Sequence, residues 1–504
     1  MPQNLPPRIF LKNPYLLRHQ LRAFVPDFFR LLDLPRLFGE IYVRMNFILS
    51  ALGRIFALTP DFILRGLCLF SAEFICVFMP RRKRVLYSNI KKCFPHIPFK
   101  KVKAIAKESS ARTVEMALFV LASPYLSDSE LRKRFKLSDM VVQNLKKYAE
   151  NPKPLVLLVP HFCMMEAITM LPVLHSGKTP KTGVFYRPFN SAGLEKWIKK
   201  SRSRFGINLI SRRNGFGKAF EILGENGCMA VLFDQNPLTA GYLTWFFDMV
   251  CYTSHLAGML VKKSNADCAI FYAHRTGFMQ ATIDGEFLNA TEVEDVVKQS
   301  NLWLESHMKA DLSTAEDWLW LHNRWKCKRN VGECLNLKHS KDLLDYTLPE
   351  KFNGVYPRKL KYFVTMPDSA SDATALLPLV EKMYNSRRDA DIVLLCRSGV
   401  YYALKDAKIK FDLIKMPEKR GGIVRYYKGL FALRDTFPDV HFVFDTSGKS
   451  DFETWVIGAF VTVGISKTAK NKKLKCPFVL SESDRDLPLY GKIEKMLLFC
   501  GLKE

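Results

Sequence analysis

The stretch "LVLLVPHFCMMEAI", residues 155–168, holds an apolar run, a proline, a histidine and, five positions after it, a glutamate. Leu155 to Val159 has the length and the β-branched, leucine-rich content of a strand buried on both faces, as in a parallel sheet. Pro160 ends the run, and the apolar residues from Phe162 onward predict a helix. His161 therefore falls on a strand-to-helix turn at the carboxyl end of a strand, the edge where open α/β sheets bind ligands. A spacing of five puts two residues about 140° apart on an ideal helix. His161 and Glu166 can then meet only if the histidine sits off the helix and turns back to a glutamate in its first turn. A carboxylate so placed fixes the imidazole tautomer and stabilises its protonated form, which would make the pair a base with its orienter. A structural hydrogen-bonded pair is the plainer alternative.

Working outward, strands are expected near 155–160, 182–187, 207–211, 228–234 and 268–274 with helices between them, an alternation that implies an α/β layer fold. Helices precede them to about residue 150, and a long helical stretch is expected over 291–326. Residues 331–358 read as a linker. A second alternating series follows, "LKYFVTMP", "DIVLLCR", "KFDLIKMP", "HFVFDTS" and "VTVGIS", and its five short strands make one Rossmann-like unit over 359–504. The organisation expected is a basic helical arm (1–80), an α/β layer domain (81–330), the linker and the Rossmann-like unit. Neither series carries a G-x-G-x-x-G or G-x-x-x-x-G-K-[ST] loop, which disfavours a dinucleotide or P-loop enzyme.

The chain has 504 residues, enough for two or three domains with full cores, and a net charge of +27 that predicts attraction to polyanions. No recognisable nucleic-acid reading module accompanies that charge, so anionic lipid and phosphorylated substrates are the favoured partners. Twelve cysteines include no C-x-x-C pair, which argues against zinc ribbons and a disulfide framework and for reduced cytosolic thiols. No secretory signal is evident. Residues 1–60 carry Arg8, Lys12, Arg18, Arg22, Arg30, Arg36, Arg44 and Arg54 interleaved with Phe, Leu and Tyr, the pattern of a helix lying in an anionic membrane surface. The apolar segment Cys68–Met79 is too short to span a bilayer, which needs about 20 residues. Peripheral, monotopic attachment on the cytoplasmic side is expected; an ordinary buried helix with a basic cap is the alternative.

Five motifs in order over residues 45–326 resemble those of the bacterial lipid A biosynthesis lauroyl and myristoyl acyltransferases. "RRKRVLYSNIKKCFP" (81–95) looks like that family's basic, Asn-containing segment, and "HFCMME" fits its H-x4-[DE] signature. "VFYRPFN" (184–190), "LFDQNP" (232–237) and "WLWLHNRWK" (318–326) resemble its Tyr-Arg-Pro segment, Asp-Gln loop and closing helix. Where the family often has Phe-Phe-Gly, this chain has Phe246-Phe247-Asp248.

The resemblance implies transfer of a fatty acyl group from an acyl carrier protein thioester to a hydroxyl of a lipid A precursor at the inner membrane, with no metal or resident cofactor. His161 would be the general base and Glu166 its partner. Arg187 would meet an anionic headgroup or the developing oxyanion, with Asp234 and Gln235 anchoring Arg187 or its loop. Acyl-cysteine chemistry at Cys163 is the lesser alternative, and His322, on the expected Trp-rich helix, reads as a packed core histidine.

Residues 360–399 and 445–466 are similar to the opening half of the ADP-heptose heptosyltransferases of glycosyltransferase family 9, with Ser371-Asp372 where that family has Gly-Asp. The resemblance implies recognition of a sugar-containing acceptor. Sugar transfer is not expected, because only one of the family's two Rossmann-like halves follows. A heptosyltransferase and a non-catalytic membrane-surface adaptor are the competing functions.

Overall fold

The computed structural model describes residues 34–186, 188, 191–211, 215–326, 331–337, 343–344 and 356–503, with backbone alone for 34–45, 192, 203 and 239. It begins with four helices, α1 (Leu34–Leu58), α2 (Asp61–Phe78), α3 (Pro80–Cys93) and α4 (Phe99–Ala122). α2 is amphipathic in fact: Leu64, Cys68, Ala72 and Cys76, at helical spacing, are buried, and α4 is the helix that α2 packs against most. Its other face leaves Phe62 76% and Phe70 69% exposed, and α1 adds Phe47 at 72% and Leu58 at 86%. Surface on this scale is unusual for a chain whose apolar residues have only water to face. The apolar face thus lies within 47–79, while residues 1–33 of the expected arm lie outside the described residues. No single described helix is long and apolar enough to cross a membrane; α2 and α3 qualify only as a pair, bent by 97°. Pro80 opens α3 in the first turn, where its missing N–H costs nothing.

The first sheet has seven strands, β1 (Phe135–Leu137), β2 (Leu155–Val159), β3 (Thr182–Tyr186), β4 (Asn208–Ser211), β5 (Cys228–Leu232), β8 (Asp267–Gly277) and β9 (Gln280–Leu288), in the order β1-β9-β8-β2-β5-β3-β4. All neighbours are parallel except β8 and β9, whose hairpin makes the sheet mixed. A separate two-stranded hairpin joins β6 (Tyr242–Phe246) to β7 (Met249–Thr253). Its two-residue turn is Phe247-Asp248, both at positive φ (52° and 59°), the conformation a tight hairpin of this length favours. Phe247 holds that strained position, packed edge-on against Phe94 and Phe246, because its N–H is taken by the buried Glu305 carboxylate at 2.7 Å.

Helices that bear on the site are α5 (Ala192–Ser203), α6 (Val293–Ala310) and α7 (Leu312–Asp317). The helical stretch expected over 291–326 therefore breaks at Asp311 and stops at Asp317. Residues 318–326 form turns that lie across the sheet edge: Trp318 bridges Phe162, and Leu319 donates its N–H to the His161 carbonyl at 3.1 Å. Trp318, Leu321 and Trp325, at i, i+3 and i+7, mimic a helical apolar stripe, but tertiary contacts decide their placement.

The second sheet runs β10 (Leu360–Thr365), β11 (Ala390–Cys396), β12 (Asp412–Lys415), β13 (Val440–Val443), β14 (Val461–Ile465) and β15 (Cys476–Phe478). Its order, β12-β11-β10-β13-β14-β15, is parallel throughout, a doubly wound arrangement of six strands where five were expected. Two of its helices matter below, α8 (Ile423–Arg434) and α9 (Ser450–Ile457). The described part of 331–358 is packed rather than loose: the Cys334 carbonyl accepts from Tyr362 Oη at 2.9 Å and from Arg387 at 2.7 Å. One continuous apolar core runs from Leu86 and Ile90 of α3 through the first sheet to Tyr362 and Phe442 of the second.

Candidate active site

β2 and β5 are neighbours in register, with Val159 opposite Leu232, so the residues just past their carboxyl ends come together. His161 stands past β2 and Asp234 past β5. The His161 ring donates through Nδ1 to Asp234 Oδ1 at 2.5 Å, and the His161 backbone N–H donates to Asp234 Oδ2 at 2.8 Å. The indole N–H of Trp318 reaches the same Oδ2 at 2.6 Å. Burial by itself would raise the Asp234 carboxyl, but His161 and these donors outweigh it and bring the pKa down to about 2. An ionised carboxylate at Nδ1 fixes the tautomer that leaves Nε2 unprotonated. Nε2 in turn meets the side-chain amide of Gln235 at 2.9 Å.

Glu166 does not hold His161. From Phe162 the chain makes a turn and a 3-10 helix, Met165–Met170, in place of the expected α-helix, and Glu166 meets Arg202 of α5 instead. The pairing is bidentate, both distances 2.9 Å. Asp234, expected to anchor Arg187, takes the orienting place, because adjacent parallel strands deliver it directly beneath the histidine. Arg187 itself lies outside the described residues.

A cavity of about 850 Å³ opens beside this pair. Its walls are apolar, among them Leu157, Val159, Val184, Ile207, Ala230 and Leu232, while His161, Glu166, Arg202, Gln235, Asn236 and His322 supply its polar groups. His322 accepts the Asn236 backbone N–H through Nε2 at 2.8 Å; burial, helped by the Arg324 charge, pushes its pKa down to about 4. It is therefore a neutral acceptor in the wall. Arg324 is fully buried and donates to the Tyr252 carbonyl, Thr253 Oγ1 and Asn301 Oδ1, a structural brace for the β6–β7 hairpin. Asn89, within the basic segment 81–95, donates to the carbonyls of Trp320 and His322 at 2.9 and 2.8 Å and so pins the crossing turns from below. Cys163 is buried with its thiol on the Arg112 carbonyl at 3.0 Å, and burial pushes its pKa well above the ordinary value, which removes the thiolate an acyl-cysteine route needs.

An imidazole oriented by a buried carboxylate, at the mouth of an apolar cavity with room for a hydrocarbon chain, is an arrangement suited to acyl transfer. The family model of the bacterial lipid A biosynthesis acyltransferases matches residues 37–327. The chain belongs to this family. It is accordingly an acyltransferase that acts on lipid A precursors, and the matched residues include the first sheet, the hairpin and the crossing turns. No curated protein matches the chain. The matched region of this acyltransferase ends before β10. Sequence reasoning missed Trp318 and Arg202 as partners of Asp234 and Glu166 in this candidate site. The tryptophan falls in a motif whose spacing reads as a helix, and nothing in the spacing of Arg202 signals a pairing 36 residues away.

Proposed function

We propose that the protein moves a fatty acyl group from an acyl carrier protein thioester to a hydroxyl of a lipid A precursor, a late step of acylation. The observation that carries the proposal is the His161–Asp234 pair with Nε2 turned toward the apolar cavity. The Gln235 amide stands where a substrate hydroxyl would donate. The hydroxyl oxygen attacks the thioester carbonyl carbon while its proton passes to Nε2; the C–S bond then breaks, and the departing thiolate takes that proton back from the imidazolium. The hydroxyl is itself the nucleophile, so no acyl-enzyme is required. Asp234 stays ionised and stabilises the imidazolium formed in between. Glu166 acts through Arg202, holding a planar guanidinium in the cavity wall, and Arg187 meets phosphate on the acceptor. The apolar face of α1 and α2 lies in the cytoplasmic leaflet of the inner membrane, with the basic α3 turning away at its surface. The second sheet recognises a sugar of the acceptor's inner core.

The reading is tested with purified protein in mixed micelles containing acyl carrier protein thioester and a Kdo-bearing lipid A precursor, with mass spectrometry of the product. One added acyl chain is expected, and His161→Ala should lose nearly all of it. A folded His161→Ala protein that keeps more than about a tenth of the turnover removes the base assignment.

A further inference from the structure

α8 buries Tyr426, Leu430 and Leu433 against the second sheet. At about 100° per residue the flank beside this buried face carries Ile423, the half-buried Tyr427, Phe431 and Val424 in turn, with Arg434 among them and Lys428 just beyond Val424. Ile423 is 69% and Val424 78% exposed. Lys419 and Arg420 precede the helix in an exposed turn, and Trp455 of α9, 57% exposed, extends the apolar surface through the ring contacts Tyr427–Phe452 and Phe452–Trp455. A Rossmann-type helix normally turns polar residues outward, so an apolar stripe set among five cations, Arg425 included, suits an occupant that is both greasy and anionic. A leaflet containing anionic lipid has that combination.

The position of α8 supports the same occupant. A cavity of about 350 Å³ lies between the two halves of the chain, lined on one side by Val77 and Pro80 at the α2–α3 bend and on the other by Phe431 and Arg434. The end of the exposed α2 face and the end of the α8 stripe thus border one opening. We infer that α8 is a second membrane-docking helix, so that the protein sits on an anionic bilayer through both halves of the chain. This inference rests on the reading of α1 and α2 as membrane-bound.

The test is flotation of the full-length chain with vesicles of neutral phosphatidylcholine, with and without phosphatidylglycerol. Four proteins are compared at matched thermal stability: wild type, Val424→Asp/Phe431→Asp, Lys428→Gln/Arg434→Gln, and Phe62→Asp/Phe70→Asp on α2. Partition of the α8 variant onto anionic vesicles should fall by about tenfold or more relative to wild type. The milder Lys428→Gln/Arg434→Gln variant should lose most of the preference for anionic over neutral vesicles. Loss of binding by the α2 variant with none by either α8 variant overturns the second contact and leaves the first. Unchanged partition in all variants overturns both. If the α8 variant binds vesicles normally but loses a protein partner, the stripe is a protein interface and the inference fails.

Discussion

Asp234 receives three donors at once, and that concentration of hydrogen bonds on one buried carboxylate is what commits His161 to a single tautomer. Asp234→Asn keeps the shape but offers a donor where an acceptor is needed, so kcat should fall by about 10²-fold or more with the fold intact. Glu166→Gln leaves the histidine untouched and only loosens Arg202. Its loss should be the smaller of the two, and steady-state kinetics of the pair, ranked side by side, checks the assignment. If Glu166→Gln proves the more damaging, the orienter has been misplaced. Two imidazoles are held neutral by burial, His322 with its pKa down at about 4 and His441, bonded to Thr365 at 2.8 Å, with its pKa down at about 3. Below about pH 6.5 an unfolded imidazole takes a proton that these refuse, so their stabilisation is complete above that pH and drains away as the pH falls toward the two folded values. Within that window each group costs the fold about 1.4 kcal/mol for every step of one in pH. Urea midpoints measured from neutral pH down to about pH 4 should decline, and His441→Gln should flatten part of that decline.

The element that completes the site is the crossing segment 318–326, which touches His161 through Leu319, Asp234 through Trp318 and Asn89 through Trp320. A hydrogen bond to a charged group contributes about 1.5–3 kcal/mol, so Trp318→Phe should cost roughly tenfold to a hundredfold in kcat while the cavity keeps its volume. Turnover followed across acid pH would show whether the loss runs through Asp234. This segment also marks where sequence reading stops. Strands such as Leu155–Val159 and Leu360–Thr365 are legible because burial on both faces demands continuous apolar runs. His161 is legible because a strand's carboxyl end is a functional edge. The partner of His161 is not, since Asp234 is adjacent only through the pairing of β2 with β5, which lies between distant residues. The end of the helix at Asp317 escapes the same way: Trp318, Leu321 and Trp325 have a helical rhythm, yet Trp318 is claimed by Asp234 and Trp325 stacks on Phe246.

On the scale of the molecule the two sheets are fastened through α3. Lys92 pairs with Asp439 at 2.5 Å with both side chains largely buried, Asp439 also accepts the Lys361 N–H at 3.0 Å, and Arg84 caps the carbonyl of Ile457 at the end of α9. Removing one partner of such a pair leaves a buried charge uncompensated, so Asp439→Ala should destabilise by about 3 kcal/mol or more, read from the urea midpoint. With one core running through both halves, the transition should remain single by circular dichroism and tryptophan fluorescence; two separated transitions would show the halves to be independent. The bilayer docking proposed for the apolar face of α1 and α2 has a further consequence for rate. An enzyme held at a bilayer and an acceptor anchored in it meet by lateral diffusion in two dimensions. Turnover then follows the mole fraction of acceptor within the surface, and diluting that surface with inert lipid slows the reaction even when the amount of acceptor in the tube is unchanged.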